Sequence, residues 1–260
     1  MLRKNHISDF NQNQKWVDAL FVVKKFLLVT VSLVSVLAGA GEVRSLTPKI
    51  LFHGGGGGAP KMATDMSSAV TQLERVGFSK ERVLKVRYPD KKNISDMVQA
   101  VEPQLKQFMA RYSSETRFDV MGHSLGHVVS LVTLAKLHLL PRVRKFIGLA
   151  GVIFGQLGEK PGLCGVSFLA PYYCGDIFDL LIGTTQPPFI LELLENHAEE
   201  MKRIEKCSLF SPDDGMLNPY DSGAFEDGIN ISIPHVNHLK FKSSPLVFET
   251  LKEQCFEGEF

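Results

Sequence analysis

Ser124 is the residue around which chemistry is predicted in this chain. It lies in the pentapeptide Gly122–Gly126, which reads GHSLG, between a short apolar run at 118–121 and an apolar segment with helical spacing. Glycines two positions before and after a serine allow a sharp strand-to-helix turn, because a side chain at either place would strike neighbouring backbone. Such a turn exposes the hydroxyl at a helix N-terminus, where the helix dipole favours negative charge. The pattern indicates a nucleophilic serine.

A serine at its ordinary pKa is a poor nucleophile and needs a general base, and the later part of the chain supplies candidates. Two aspartates, Asp213 and Asp214, follow one short apolar run, and two histidines, His235 and His238, follow the next. If both runs are parallel strands, these residues lie just past the carboxyl ends of the strands, where such sheets bind their ligands. We therefore expect an aspartate and a histidine to converge on Ser124.

A glycine run supplies the remaining part of the predicted site. His53 is followed by five glycines, Gly54 to Gly58, directly after an apolar run. A tetrahedral intermediate needs two donors aimed at its oxyanion, and these are usually backbone N–H groups. The N–H of Leu125 is one candidate, and the N–H of Gly54 or Gly55 is the other. A phosphate-binding loop is disfavoured because no Gly-Lys-Ser/Thr follows the glycines.

Strands and helices alternate along the chain and have to position these residues. The alternation predicts an α/β fold with about six strands, mostly parallel, and helices on both faces of the sheet. Within the helix predicted at 94–112, Pro103 is expected to cause a kink or a restart. The Gly- and Pro-rich stretch 151–203 breaks the rhythm and is predicted to be a lid-like insertion in a single domain, 41–260. Strands are predicted at 48–53, 82–88, 118–121, 143–149, 207–210 and 229–233, and further helices at 66–76, after Ser124, at 190–204 and at 246–254.

Composition excludes several classes of function. The chain has 260 residues, 44% of them hydrophobic and 22% charged, with a net charge of +1, so no basic surface for nucleic acid is expected. The sequence has no Cys/His spacing of the zinc type and no His-Glu-x-x-His pattern, so we predict no metal. The chemistry outlined above needs no cofactor.

The first 40 residues differ from the rest. Lys24 and Lys25 precede an apolar run at 26–40 that ends in Ala-Gly-Ala, which is typical of a cleaved signal peptide. The run is short for a membrane span, which needs about 20 residues. We therefore predict export to a secreted or extracytoplasmic location. A membrane anchor formed by residues 19–40 and a buried structural helix are the alternatives.

Four cysteines are consistent with export, since an even number can form disulfides in an oxidising compartment. We favour Cys164–Cys174, which are close in sequence, and Cys207–Cys255, which would join a late strand to the C-terminal tail. Four buried free thiols are the alternative.

Together these segments resemble the small secreted triacylglycerol lipases and esterases of the α/β-hydrolase fold. The resemblance covers roughly residues 48–255 and rests on LFHGGG at 51–56, GHSLG at 122–126 and SPDDG at 211–215, with His238. It departs at His127, where many of these lipases carry a second glycine. We expect the bulkier residue to affect how the helix packs on its strand.

The resemblance implies a catalytic order along the chain of nucleophile, acid and histidine, hence Ser124, Asp214 and His238. Asp214 is preferred to Asp213 because a glycine and an apolar pair follow it. His238 is preferred to His235 because Leu239 and a segment that leads toward a helix follow it. The implied activity is hydrolysis of carboxylic esters, most of all lipid esters, with transient contact at a lipid interface. An acyltransferase, a thioesterase and a non-catalytic lipid-binding protein are the alternatives.

Overall fold

An open sheet of six parallel strands forms the centre of the computed structural model, which describes residues 47–55, 65–89, 94–153, 188–217 and 219–258. The spatial order is β2-β1-β3-β4-β5-β6, and every adjacent pair is parallel. All six strands therefore end at the same edge of the sheet, which is called the carboxyl edge below. The strands are β1 (Lys49–Phe52), β2 (Val83–Lys85), β3 (Phe118–His123), β4 (Val143–Leu149), β5 (Glu205–Phe210) and β6 (Ile229–Ser232).

Helices cover both faces of the sheet, as the alternating pattern predicts. Successive strand side chains point to opposite faces, so that Phe52 joins one apolar core and its neighbour Leu51 joins the other. Residues of α2, α3 and α4 fill the first core, and residues of α1 and α6 fill the second. The helices are α1 (Ser67–Arg75), α2 (Ile94–Met109), α3 (Leu125–Lys136), α4 (Pro188–Asn196), α5 (Ala198–Lys202) and α6 (Pro245–Thr250).

The structure corrects several predicted boundaries. Helix α2 continues through Pro103, because the proline lies on the exposed side, where water can bond the carbonyl that the proline leaves without a donor. The predicted helix 190–204 is two helices that meet at His197. The predicted strand 82–88 is reduced to three residues. The closing helix changes to a π-helical turn over Leu251–Cys255.

Charged side chains line the amino edge of the sheet, where the strands begin. Lys49, Asp119, Lys145 and Glu205 occupy one register across four adjacent strands, with alternating charge, and all but the exposed Glu205 are buried. The ammonium of Lys49 lies 3.1 Å from Asp119, whose two oxygens also accept bonds from Arg144 at 2.8 and 2.9 Å. Lys145 lies 2.6 Å from Glu205. Opposite charges on neighbouring strands thus compensate one another where the fold removes them from solvent.

The cysteine prediction is confirmed in one half, since Cys207 and Cys255 form a disulfide that joins β5 to the C-terminal tail. Cys164 and Cys174 lie outside the described residues, as do the predicted signal peptide at 1–40 and residues 154–187 of the insertion. Within the described ranges, no helix is both long enough and apolar enough to cross a membrane.

Candidate active site

Ser124 occupies a strained turn between β3 and α3. Its φ of 54° and ψ of −130° lie outside the regions that a serine ordinarily adopts, at a cost of about 1–3 kcal/mol. The glycines on either side make the turn sterically feasible. A Cβ at Gly122 would lie 2.3 Å from the Cα of His127, and one at Gly126 would lie 2.4 Å from the carbonyl oxygen of His53. The steric reason for the two glycines, inferred from spacing alone, is thus present in the fold.

Ser124 is also the residue that solvent reaches in an otherwise buried stretch. Every residue from Phe118 to Ala135 is buried except Ser124. The backbone N–H of Ser124 donates to the carbonyl of Leu149 at 3.1 Å, which fixes the turn to the neighbouring strand. The serine therefore stands at the carboxyl edge with its backbone held in place and its side chain partly open.

Asp214 and His238 form a buried hydrogen-bonded pair at the same edge. Asp214 Oδ2 lies 2.9 Å from His238 Nδ1, and the backbone N–H of His238 donates to the carbonyl of Asp214 at 2.9 Å. The other carboxylate oxygen accepts from the N–H groups of Met216 at 3.0 Å and Leu217 at 2.8 Å. With Nδ1 engaged by the carboxylate, Nε2 is the nitrogen of His238 left for proton exchange.

The surroundings of Asp214 favour its ionised form. Burial acts to raise the pKa of the carboxyl group, but the hydrogen bond and charge of His238, with the N–H groups of Leu217 and Met216, hold this pKa below its ordinary value. Asp214 is therefore an anion at neutral pH and can orient an imidazole and stabilise its protonated form.

The histidine loop, residues 234–240, lies against the turn that carries Ser124. His123, the residue before the serine, places its Nε2 3.0 Å from the carbonyl oxygen of His238. The two imidazole rings lie 5.0 Å apart between centroids. Asp214, His238 and the serine turn thus lie together at the carboxyl edge, where the strands end.

The loop after β1 approaches the serine from the other side. A Cβ at Gly54 would lie 2.7 Å from the Cβ of Ser124, so only glycine allows the loop this close. The following Gly55 has a φ of 108°, which also favours glycine. Leu125 is the first residue of α3, where backbone N–H groups lack partners within the helix. Gly56 to Gly58 lie outside the described residues.

Comparison of sequences finds no family model and no curated protein that matches this chain. Comparison of structures does find similar folds. The mature lipase BlEst2 of Bacillus licheniformis superposes with a TM-score of 0.53 at 13% identity, covering 79% of this chain and 90% of the lipase. The metagenomic carboxyl esterase MGS0156 gives 0.54 at 15% identity, over 84% of this chain and 78% of the esterase. A carboxylesterase of the thaumarchaeon Nitrososphaera gargenis gives 0.51 at 13% identity, over 84% and 91%.

The chain has the α/β-hydrolase fold. Its parallel sheet and flanking helices place the serine turn, the loop that carries Asp214 and the histidine loop at one edge. This is the fold that the sequence resemblance implied. At identities of 13 to 15%, these similarities show the fold alone.

Asp213 and His235, which the sequence offered as the alternative acid and histidine, lie outside the buried pair in this α/β-hydrolase fold. The side chain of His235 is 92% exposed and that of Asp213 is 52% exposed. Asp213 Oδ2 accepts a bond from the backbone N–H of His235 at 2.7 Å, so this carboxylate connects the acid loop, residues 211–217, to the histidine loop. The structure brings Asp214 and His238 together, whereas Asp213 and His235 meet on the surface.

His127 shows how the hydrolase fold accommodates the departure seen in sequence. Its buried ring stacks on Phe146 at 4.9 Å and meets Phe225 edge-on at 5.3 Å. Space for the ring comes from two glycines: a Cβ at Gly148 would lie 2.6 Å from its Cε1, and one at Gly151 would lie 2.2 Å from its Nδ1. The bulk at 127 is therefore compensated by absent side chains on β4 and just after it.

Tyr88 is a residue of the site that sequence reasoning missed. Its hydroxyl donates to the carbonyl of His53, and its ring stacks on the His53 ring with centroids 3.8 Å apart. These contacts fix the peptide that leads into Gly54. The sequence offered only a weak signal, a tyrosine before Pro89 at the end of a predicted strand.

No cluster of three or more His, Cys, Asp or Glu side chains that could hold a metal ion occurs within the described part of the chain.

Proposed function

We propose that this protein is a serine hydrolase that cleaves carboxylic esters. The observation that carries the proposal is the buried Asp214–His238 pair, at 2.9 Å, on a loop that His123 joins to the strained turn of Ser124. A strained serine beside a buried, oriented histidine suits nucleophilic catalysis. The similar structures named as lipases and carboxylesterases are consistent with this reaction.

In the proposed mechanism Ser124 Oγ attacks the acyl carbonyl carbon while His238 Nε2 removes the hydroxyl proton. Asp214 holds the imidazole in the tautomer with its proton on Nδ1 and stabilises the imidazolium. The tetrahedral intermediate collapses when the bond to the alcohol oxygen breaks and His238 returns the proton to that oxygen. Water then attacks the carbonyl carbon of the acyl-enzyme while His238 removes its proton. The bond to Ser124 Oγ breaks, His238 returns the proton to Oγ, and the carboxylic acid and free Ser124 are released.

The negative oxygen of each intermediate needs donors that are already in place. We assign this role to the N–H of Leu125 and to an N–H of Gly54 or Gly55. The close approach of Gly54 to Ser124 and the position of Leu125 at a helix start support the assignment. Removal of one such donor typically costs about 3–4 kcal/mol of transition-state stabilisation.

Among esters, we propose that lipid esters are the preferred substrates. Met216 and Leu239, which follow the acid and the histidine closely in sequence, are 56% and 39% exposed. Apolar groups exposed beside a catalytic pair favour an acyl chain over a polar acyl group. Emulsified triacylglycerol and long-chain p-nitrophenyl esters should therefore be hydrolysed faster than acetate esters.

The test is hydrolysis of this ester panel by the purified protein and by Ser124→Ala. Ser113→Ala is the matched control, since Ser113 is exposed and lies before β3, whereas Ser124 follows it. Ser124→Ala should lose nearly all turnover, with the control unchanged. Full turnover by Ser124→Ala contradicts the proposal. A thioester and an added alcohol acceptor in the same panel separate hydrolysis from thioesterase and acyltransferase activity.

We also propose that the protein works in an oxidising, extracytoplasmic compartment. The Cys207–Cys255 disulfide and the signal-like sequence at 1–40 support this. Cleavage after Ala40 would remove Trp16, the one tryptophan of the sequence. The exported protein should then begin at Gly41 and emit only tyrosine fluorescence. Tryptophan emission or an intact mass of all 260 residues would contradict cleavage.

A further inference from the structure

His123 lies between three segments of the proposed site with its ring buried. It precedes Ser124 in the chain and is only 1% exposed. Its Nε2 lies 3.0 Å from the carbonyl oxygen of His238, and its Nδ1 lies 3.0 Å from the place that a Cβ of Gly54 would occupy. A single side chain on a central strand therefore bonds the histidine loop and lies close to the loop after β1.

The protonation of this ring follows from its partner. A backbone carbonyl can only accept a hydrogen bond, so Nε2 of His123 carries the proton and donates to His238. No donor or acceptor meets Nδ1 among the described residues. Burial, followed by the neighbouring charge of His238, lowers the pKa of His123 to about 3. The ring is thus a neutral donor of fixed tautomer at any pH at which His238 can act as a base.

We propose that His123 is a positioning residue that anchors the carbonyl of His238 and so holds the histidine loop against the serine turn. The catalytic consequence rests on the proposed function, but the anchor itself does not. Loops are more mobile than the strands beside them, and His238 lies on a short 3-10 turn, whereas His123 ends the central strand β3. A base displaced by about 1 Å can lose about a hundredfold in rate.

Two amide variants separate positioning from simple packing. His123→Gln places an amide N–H near the position of Nε2, whereas His123→Asn is too short to reach the carbonyl of His238. Both bury a neutral amide, so a purely structural role predicts similar losses of stability and activity in the two. We expect His123→Asn to lose about 10- to 100-fold in kcat, with KM nearly unchanged. We expect His123→Gln to recover most of that loss.

The kinetic comparison is made on variants whose circular dichroism and thermal unfolding show a folded chain. Equal kcat values for His123→Asn and His123→Gln would overturn the proposal. So would a loss that appears in KM alone, because a displaced base acts on the chemical step.

A second measurement needs no variant and no turnover. In the 15N spectrum of the wild-type imidazoles, assigned through the backbone, His123 should show a protonated Nε2 and an unprotonated Nδ1 from pH 5 to 8. A proton on Nδ1 would overturn the anchor. If Ser124→Ala remains active while Nε2 of His123 is protonated, the proposed function fails and the anchor stands.

Discussion

Among the described residues, every buried charge at the amino edge of the sheet has an opposite charge beside it, whereas at the carboxyl edge some buried ring nitrogens lie without partners and the backbone is strained at Ser124. Asp119 accepts bonds from Lys49 and Arg144. His127, by contrast, has no partner for either ring nitrogen among the described residues, and Ser124 has a φ of 54°. Unfavourable groups of this kind persist only where the surrounding structure fixes them.

The C-terminal tail strengthens the amino edge further. The ring of Phe256 lies 5.2 Å from the Lys49 ammonium, 5.7 Å from that of Lys145 and 5.9 Å from the Arg144 guanidinium. Lys145 also donates to the carbonyl of Cys255 at 2.9 Å, next to the disulfide. We propose that the edges divide the roles, so that one edge provides stability and the other carries the strain of the proposed site. Substitutions at the two edges should therefore affect different measurements.

The largest expected effect is on activity at the carboxyl edge. Asp214→Asn should lower kcat by about ten thousandfold, because an amide that donates to Nδ1 would favour the wrong imidazole tautomer. Asp213→Asn is the matched control, and it should cost only a few-fold, since this carboxylate bonds the backbone N–H of His235. Steady-state kinetics on a p-nitrophenyl ester decide between them. The reverse ranking would mean that Asp213 is the acid.

The next effect is on stability at the amino edge. Asp119→Asn removes the carboxylate between two cations and should cost about 3–5 kcal/mol of unfolding free energy, because it leaves a buried charge uncompensated. Glu102→Gln is the control: it breaks the exposed Glu102–Lys106 pair and should cost less than about 1 kcal/mol. Urea unfolding measures both. Equal losses, or a large fall of kcat in folded Asp119→Asn, would contradict the separation of the edges.

Removal of the disulfide should lower the free energy of unfolding somewhat less than Asp119→Asn does. Cys207→Ala combined with Cys255→Ala opens a loop with a sequence separation of 48 and should cost about 2–4 kcal/mol. The turnover of the molecules that remain folded should hardly change, because the bridge joins β5 to the tail away from the serine turn. Thermal unfolding and kinetics on the same sample test this. An unchanged unfolding temperature would show that the bridge adds nothing to the amino edge.

The smallest effect, taken for one ring over one pH unit, is a dependence of stability on pH that arises at the carboxyl edge. Burial lowers the pKa of His123 and that of His127 to about 3, from 6.5. Below pH 6.5 the unfolded chain therefore binds more protons than the folded one. The stability due to these neutral rings is full above pH 6.5 and is lost as the pH falls toward 3, by about 1.4 kcal/mol per pH unit for each ring.

His127→Phe should remove one of these two contributions while keeping a ring between Phe146 and Phe225. Urea unfolding at several pH values from 4.5 to 7.5 gives the slope, in a window above most carboxyl titrations. The slope for the variant should be smaller by about one proton. A slope identical to that of the wild type would show that His127 is protonated in the fold or titrates normally.

The parts of the molecule that local spacing determines could be predicted from the sequence. The glycine at 122 has a steric reason within a few residues of Ser124, because a side chain there would strike the backbone of His127. The parallel order of the strands likewise fixes the edge at which Asp214 and His238 lie. The alternation of strands and helices along the chain predicted the α/β fold with a parallel sheet. The roles of the site residues remain predictions that the experiments above test.

Contacts between distant residues could not be predicted in the same way. Lys49 and Asp119 are 70 positions apart, so neither local pattern nor charge count reveals that one neutralises the other. The fit of His127 depends on Gly148 and Gly151, whose missing side chains have meaning only once β4 lies beside α3. Pro103 was expected to interrupt its helix, but it lies on the exposed side, where water can bond the carbonyl that the proline leaves without a donor.

The most direct test of the proposed nucleophile is the position of a covalent adduct. A fluorophosphonate forms a stable bond only with a serine activated by a base, so peptide mapping of the labelled wild-type protein should place one adduct on Ser124. Labelling should disappear in His238→Ala and persist in His235→Ala. An adduct on another serine, or labelling of His238→Ala at the wild-type rate, would contradict the account.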